Sequence, residues 1–135
     1  MGCAHSAPPP HQAPAFHICG RYRARIIAVH DGIRLTAVLR YKGSWYSVRI
    51  RLSGISVPAL IPSRRHSGGQ VARAKLARDS VRHRVLQREV WLTCGAFDAT
   101  GCVLSKVQVA NQDLGDWMLS TQLGSADATT RIEPS

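Results

Sequence analysis

The chain has 135 residues, 44% of them apolar, which suits a single domain with one core and is too apolar for a disordered polymer. Its formal net charge of +10, from 18 Lys and Arg against 8 Asp and Glu, points to phosphate-rich partners or an anionic membrane surface, with plain solubility as the competing reading. No apolar run approaches the ~20 residues that cross a bilayer. Cys3, Cys19, Cys94 and Cys102 form no C-x-x-C pair, and no secretory h-region is recognisable, so neither a zinc cluster nor a disulfide framework is expected.

Residues 1–20 carry Pro8, Pro9, Pro10 and Pro14 without useful periodicity and are expected to form a flexible leader. The opening Met1-Gly2-Cys3-Ala4-His5-Ser6 fits the M-G-x-x-x-[ST] pattern of N-myristoylation at Gly2, with Cys3 placed for palmitoylation. Arg21, Arg23 and Arg25 would add a polybasic second signal for membrane attachment.

A folded domain is expected over residues 21–126. Ile26 and Ala28, then Leu35, Ala37 and Leu39, recur at two-residue spacing, the mark of half-buried strands. Between them His30-Asp31-Gly32 reads as a turn in which glycine takes a positive φ. A second turn at Lys42-Gly43-Ser44 leads to a strand with Val48, Ile50 and Leu52 on one face and Arg49 and Arg51 on the other. Residues 53–68 read as loop. A helix follows over 69–86, with Ala74, Ala77, Val81 and Val85 as its apolar stripe and Arg73, Lys75, Arg78, Arg82, Arg84 and Arg88 opposite. Strands over 89–93 and 102–109 flank a turn at 97–101, and Cys94 and Cys102 are expected to face each other there as reduced thiols. An amphipathic helix over 114–123, carrying Leu114, Trp117 and Met118, stops at Gly124, and 127–135 reads as a tail. The order is β-β-β-α-β-β-α.

That order resembles the staphylococcal nuclease (thermonuclease) family, whose fold is a five-stranded OB-type β-barrel with helices. Motifs support the resemblance. Val29-His30-Asp31-Gly32 resembles the family's V-x-D-G-D-T turn, and 51–59 resembles R-L-x-G-[IV]-D-x-P-E. Asp98-Ala99-Thr100-Gly101-Cys102 is similar to D-x-Y-G-R, and the closing helix ends in a G-x-A-like Gly124-Ser125-Ala126. Some family members begin with acyl anchors, and short forms occur in large DNA viruses, which the Trp117-Met118 pair resembles.

In that family two aspartates hold Ca²⁺, a glutamate activates water and two arginines stabilise charge on the phosphate. Position by position, the resemblance implies that Ile33 and Ser56 replace the aspartates, Val57 the threonine beside them, Ala59 the base and Cys102 the second arginine. Hydrocarbon cannot ligate calcium and alanine cannot accept a proton. Thr100 stands for the tyrosine, and Arg51 is kept, as is Asp31 in the turn before it. No cofactor is expected, because the family's Ca²⁺ site is lost. His30, His66, Glu89 and Asp98 are candidates for a rebuilt site, though none stands at ligand spacing with another.

The first reading is therefore a catalytically impaired nuclease-like barrel that binds nucleic acid or another polyanion. Arg34, Arg40, Lys42 and Arg51 would supply phosphate contacts, with Trp45 and Tyr46 as stacking platforms; for the two aromatics, ordinary strand packing is the alternative. The rival readings are a membrane-associated or virion scaffold and an active nuclease with a rebuilt site. The expected location is intracellular, at a membrane if the acylation motif operates, in a virion or host cytoplasm if the source is viral.

Overall fold

The computed structural model describes residues 18–58 and 68–130. Strands β1 (Gly20–Val29), β2 (Arg34–Tyr41) and β3 (Ser44–Leu52) form the expected antiparallel meander. A short β4 (Ile55–Ser56) precedes helix α1 (Gly68–Val85), then β5 (Glu89–Phe97), β6 (Val103–Val109) and β7 (Gln112–Asp113). Helix α2 (Leu114–Ser120), β8 (Ser125–Ala126) and a 3₁₀ turn (Ala128–Thr130) complete the described chain. β1 pairs with β2 and β5, β5 pairs with β6, and β6 runs parallel to β3 with Ile50 opposite Val103. That last ladder closes β1, β2, β3, β5 and β6 into an OB-type barrel with helices, removing the free edges of β3 and β6.

Alternation along each strand fills the barrel. Ile26, Leu35, Leu39, Ile50, Leu92, Val103 and Val107 are fully buried, while their neighbours point outward. The expected Ile26/Ala28 pair is the exception: a β-bulge between these residues resets the pleat, so Val29 is buried after Ile26 and Ala28 is only half-buried. α1 closes one end with Val71, Ala74, Ala77, Val81 and Val85 buried, and burying Val81 and Val85 contributes about 1.5–3 kcal/mol each. Arg82, His83 and Arg84 in its last turn oppose the negative end of the helix dipole.

Glycine plays two roles other than those its sequence position suggests. Gly32 has no positive φ; a Cβ there would lie 3.1 Å from Ala77 Cβ and 3.2 Å from Val57 Cγ1, so the turn needs glycine to let α1 approach. Gly124 does not end the second helix, which stops at Ser120, with Gln122 taking φ 62°. Instead Gly124 packs under β4, where a Cβ would meet Ile55 Cγ2 at 2.8 Å.

Packed residues are found on both sides of the span 21–126. Ile18 is buried in the core cluster, ahead of the strand expected from residue 21. Beyond residue 126, the Asp127 amide donates to Gly54 O (2.8 Å) and Thr130 Oγ1 accepts from the Gly54 amide (3.0 Å), fastening the 3₁₀ turn to the β3–β4 loop. Cys94 pairs with Ser105 rather than Cys102, because the register fixed by Trp91↔Gln108 and Leu92↔Val107 sets Ser105 opposite it; both thiols are free and buried. Gly2, Cys3, Ala59 and His66 lie outside the described residues.

Candidate functional site

The pleat that turns Leu35, Ala37, Leu39 and Ile50 inward turns the intervening residues of β2 and β3 outward. These outward residues pair across the ladder as Arg34↔Arg51, Thr36↔Arg49, Val38↔Ser47 and Arg40↔Trp45. Arginine thus marks both ends of the face, roughly 20 Å apart at about 3.3 Å per residue.

At the Arg34 end, the β1–β2 and β5–β6 turns flank a cleft of about 260 Å³ lined by His30, Arg34, Arg49, Thr100 and Cys102. These are the loops and the sheet face through which OB barrels contact oligomeric ligands. Asp31 sets one wall: its Oδ1 accepts from the Ile33 and Arg34 amides (2.8 Å each) and its Oδ2 pairs with Arg34 Nη1 at 2.9 Å. His30 Nε2 lies 2.7 Å from Thr36 Oγ1. Arg49 is exposed and has no carboxylate partner among the described residues, which leaves its donors available to an anion.

The opposite wall is an Asp98-centred turn. Asp98 Oδ1 accepts from the Thr100 amide (2.8 Å), Thr100 Oγ1 (2.7 Å) and the Cys102 amide (2.9 Å). Burial pushes the Asp98 carboxyl up, but these hydrogen bonds and nearby Arg51 outweigh it and hold the group below its ordinary value. Arg51, which the resemblance sets at an arginine position of the family, does not line the cleft. Its side chain is 19% exposed, with Nη2 3.8 Å from Asp127 Oδ2, and its Nε is buried without a hydrogen-bond partner among the described residues.

The other described positions that the resemblance singles out, Ile33, Ser56, Val57 and Cys102, do not come together as a metal centre. Ile33 is 3% exposed and belongs to the core. Ser56 sits in β4, paired with Ser125 of β8, and Val57 packs against the core. Among the described residues, no three His, Cys, Asp or Glu side chains cluster as a metal would need. The donor set does not fit the Ca²⁺ that the resemblance implies. Of the rebuilt-site candidates, His30 lines the cleft and Asp98 ties the turn that forms its opposite wall, whereas Glu89 pairs with Arg23 at 3.3 Å.

At the far end of the face, Lys42 (φ 48°) and Gly43 (φ 84°) form the tight β2–β3 turn. Trp45 is 69% exposed beneath Arg40, whose guanidinium carbon lies 6.0 Å from the ring centroid. Tyr46, adjacent in sequence, is on the other side of the strand. It stands opposite buried Leu39 and meets Tyr41 edge-on at 6.1 Å, so Trp45 alone of the two faces the arginine track. Lys42 lies over Tyr41, with Nζ 5.5 Å from the ring centroid.

The structure therefore splits the expected residues: Arg34 lines the cleft, Arg51 lies beside it, and Arg40, Lys42 and Trp45 lie at the hairpin end. Arg49 and His30 are cleft residues that the expected binding set omits. Arg49 was legible in the alternation of β3, since it shares a face with Arg51. By contrast, three of the four α1 arginines are engaged: Arg78 and Arg82 with Asp79, Arg82 also with Val29 O, and Arg84 with Gln112 and Trp117. Of two larger concavities, one of about 550 Å³ is edged by Asp113, Asp116 and Asp127, which repel polyanions, and one of about 590 Å³ lies between α1 and Trp117. Comparison with protein-family models and with curated proteins finds no match for this chain.

Proposed function

We propose that this chain is a barrel of the staphylococcal nuclease type whose cutting machinery has been lost, and that it binds nucleic acid or another polyanion along the outer face of β2 and β3. The observation that carries the reading is the exposed Arg49, without a carboxylate partner among the described residues, beside Arg34 in a cleft between the two turns, on a face that ends in the Arg40–Trp45 pair. Guanidinium groups supply always-charged donors for phosphate, and an exposed indole offers a stacking surface to an unpaired base. With Ile33 in the core and Ser56 at the second matched position, the carboxylates that the resemblance assigns to metal are replaced, and the two that flank the cleft, Asp31 and Asp98, are engaged by Arg34 and by donors of the β5–β6 turn.

The test incubates the protein with labelled single-stranded DNA and RNA, with and without Ca²⁺, and scores binding and cutting together. Expected are binding that weakens steeply with salt, indifference to Ca²⁺, and intact strands. Absence of salt-sensitive binding would reject the reading in favour of a scaffold, membrane-associated or in a virion. Cleavage abolished by Arg51→Ala would reject the loss of catalysis.

A further inference from the structure

Around the barrel from the cleft, β1, β5 and β6 present a second basic face. Its outward residues stand in register as two adjacent rows, Arg21–Thr93–Lys106 and Arg23–Trp91–Gln108. Trp91 is 36% exposed and carries both arginines: the guanidinium carbon of Arg21 lies 4.1 Å from the ring centroid and that of Arg23 5.4 Å. A guanidinium held against an indole keeps its edge N–H donors free for bidentate contact with phosphate. Arg23 shares one such edge with Glu89, whereas Arg21 and Lys106 have no carboxylate partner among the described residues.

Charge and polarity together select the occupant. The patch is cationic, which suits a phosphate polymer. Thr93 and Gln108 beside the ring are polar, so the face offers little apolar area to insert into a lipid surface. A duplex would hide its base faces from the guanidinium planes laid over the indole, whereas a single strand leaves its bases open to stack on them. The face also adjoins the β2–β3 track without a break, since β1 pairs with β2 directly and Arg25 stands opposite Val38.

We propose that the β1–β5–β6 face is a second subsite for a single-stranded nucleic acid bound at the β2–β3 face, with Arg21, Arg23 and Lys106 holding phosphates and Trp91 positioning the guanidinium groups. This rests on the reading of the β2–β3 face given above. A strand long enough to leave the cleft crosses β2 and reaches Arg23 and Arg21; a short one does not.

The test measures affinity and salt dependence for oligothymidylates of about 5 and about 15 nucleotides, spanning the range that OB folds occupy. The parent protein is compared with an Arg21→Ala/Arg23→Ala double variant. Loss of two single-strand phosphate contacts should lower the log–log salt slope by about 1.4 and the affinity for the longer oligomer on the order of tenfold, leaving the shorter one unchanged. Trp91→Leu, which keeps both cations, should weaken the longer oligomer with little change in slope. Equal binding of the longer oligomer by parent and double variant would overturn this subsite and leave the β2–β3 reading standing. No binding of either oligomer by the parent would overturn both. A double variant that loses affinity only for vesicles of anionic lipid would show the face to be a membrane surface and overturn the proposal.

Discussion

Placing a carboxylate at position 33 tests whether this position, which the resemblance matches to a metal ligand, belongs to the core. Ile33 is 3% exposed, and its backbone is tied at both ends: its amide donates to Asp31 Oδ1 at 2.8 Å and its carbonyl accepts from the Leu52 amide at 2.8 Å. The side chain therefore has little freedom to swing into solvent. Ile33→Asp would forfeit most of a buried aliphatic group, about 2–5 kcal/mol, and add about 1–3 kcal/mol for burying a polar group without partners. A loss of about 3–8 kcal/mol is a large share of the 5–15 kcal/mol that stabilises a typical domain, and corresponds to a fall in Tm of at least ~10 °C. Burial raises the introduced carboxyl above its unfolded value near 3.9. The penalty relative to the parent should thus be smallest below about pH 4 and grow as pH rises through the raised value. Urea unfolding of both proteins at pH 4 and pH 7 measures this, with and without Ca²⁺. A pH-independent loss below about 1 kcal/mol, or stabilisation of the variant by Ca²⁺, would refute the assignment of Ile33 to the core.

Three further outcomes are expected. Asp98→Ala removes the acceptor of three hydrogen bonds in the β5–β6 turn and should cost about 1–3 kcal/mol in thermal unfolding at pH 7. Because the Asp98 carboxyl is held below its unfolded value, its contribution is present above about pH 4 and lost as pH falls through the lowered value, so the variant should show a flatter acid limb. Gly124→Ala places a methyl 2.8 Å from Ile55 Cγ2 and 3.2 Å from Ser56 O, and should destabilise by about 1–3 kcal/mol, with faster amide exchange at the β4–β8 pair. Arg34→Glu/Arg49→Glu should reduce the salt slope of single-strand binding by at least about 1.4; Arg78→Glu/Arg82→Glu, altering arginines already paired on α1, should change it less.

The barrel was readable because alternation and turn chemistry are local. Leu35, Ala37 and Leu39 against Val48, Ile50 and Leu52 define two strands with one buried face, and Lys42-Gly43 defines the turn that joins them. The apolar stripe of α1 was legible for the same reason. The cleft was legible only in part. Arg34 and Arg51 were expected in one site and are direct cross-strand neighbours, yet Arg40 and Trp45 lie at the other end of the same ladder. Sequence proximity also misplaced Tyr46, which period-two geometry sends to the opposite side from Trp45.

What the sequence determined by itself was the five barrel strands and two helices, their order, and the outward direction of the β3 and α1 arginines, since these follow from residue periodicity and backbone sterics; the short β4, β7, β8 and the 3₁₀ turn were not legible in it. Tertiary structure alone decided which of those arginines remain free. Arg51 meets Asp127 from beyond the expected domain, Arg82 reaches Val29 O, and Arg84 is spread over Trp117, whereas Arg49 meets no carboxylate among the described residues. The bulge after Ile26, the close approach at Gly32 and the parallel β3–β6 closure were likewise invisible in sequence. Each depends on segments distant along the chain, and no local pattern encodes the distance between two elements that meet only when the barrel closes.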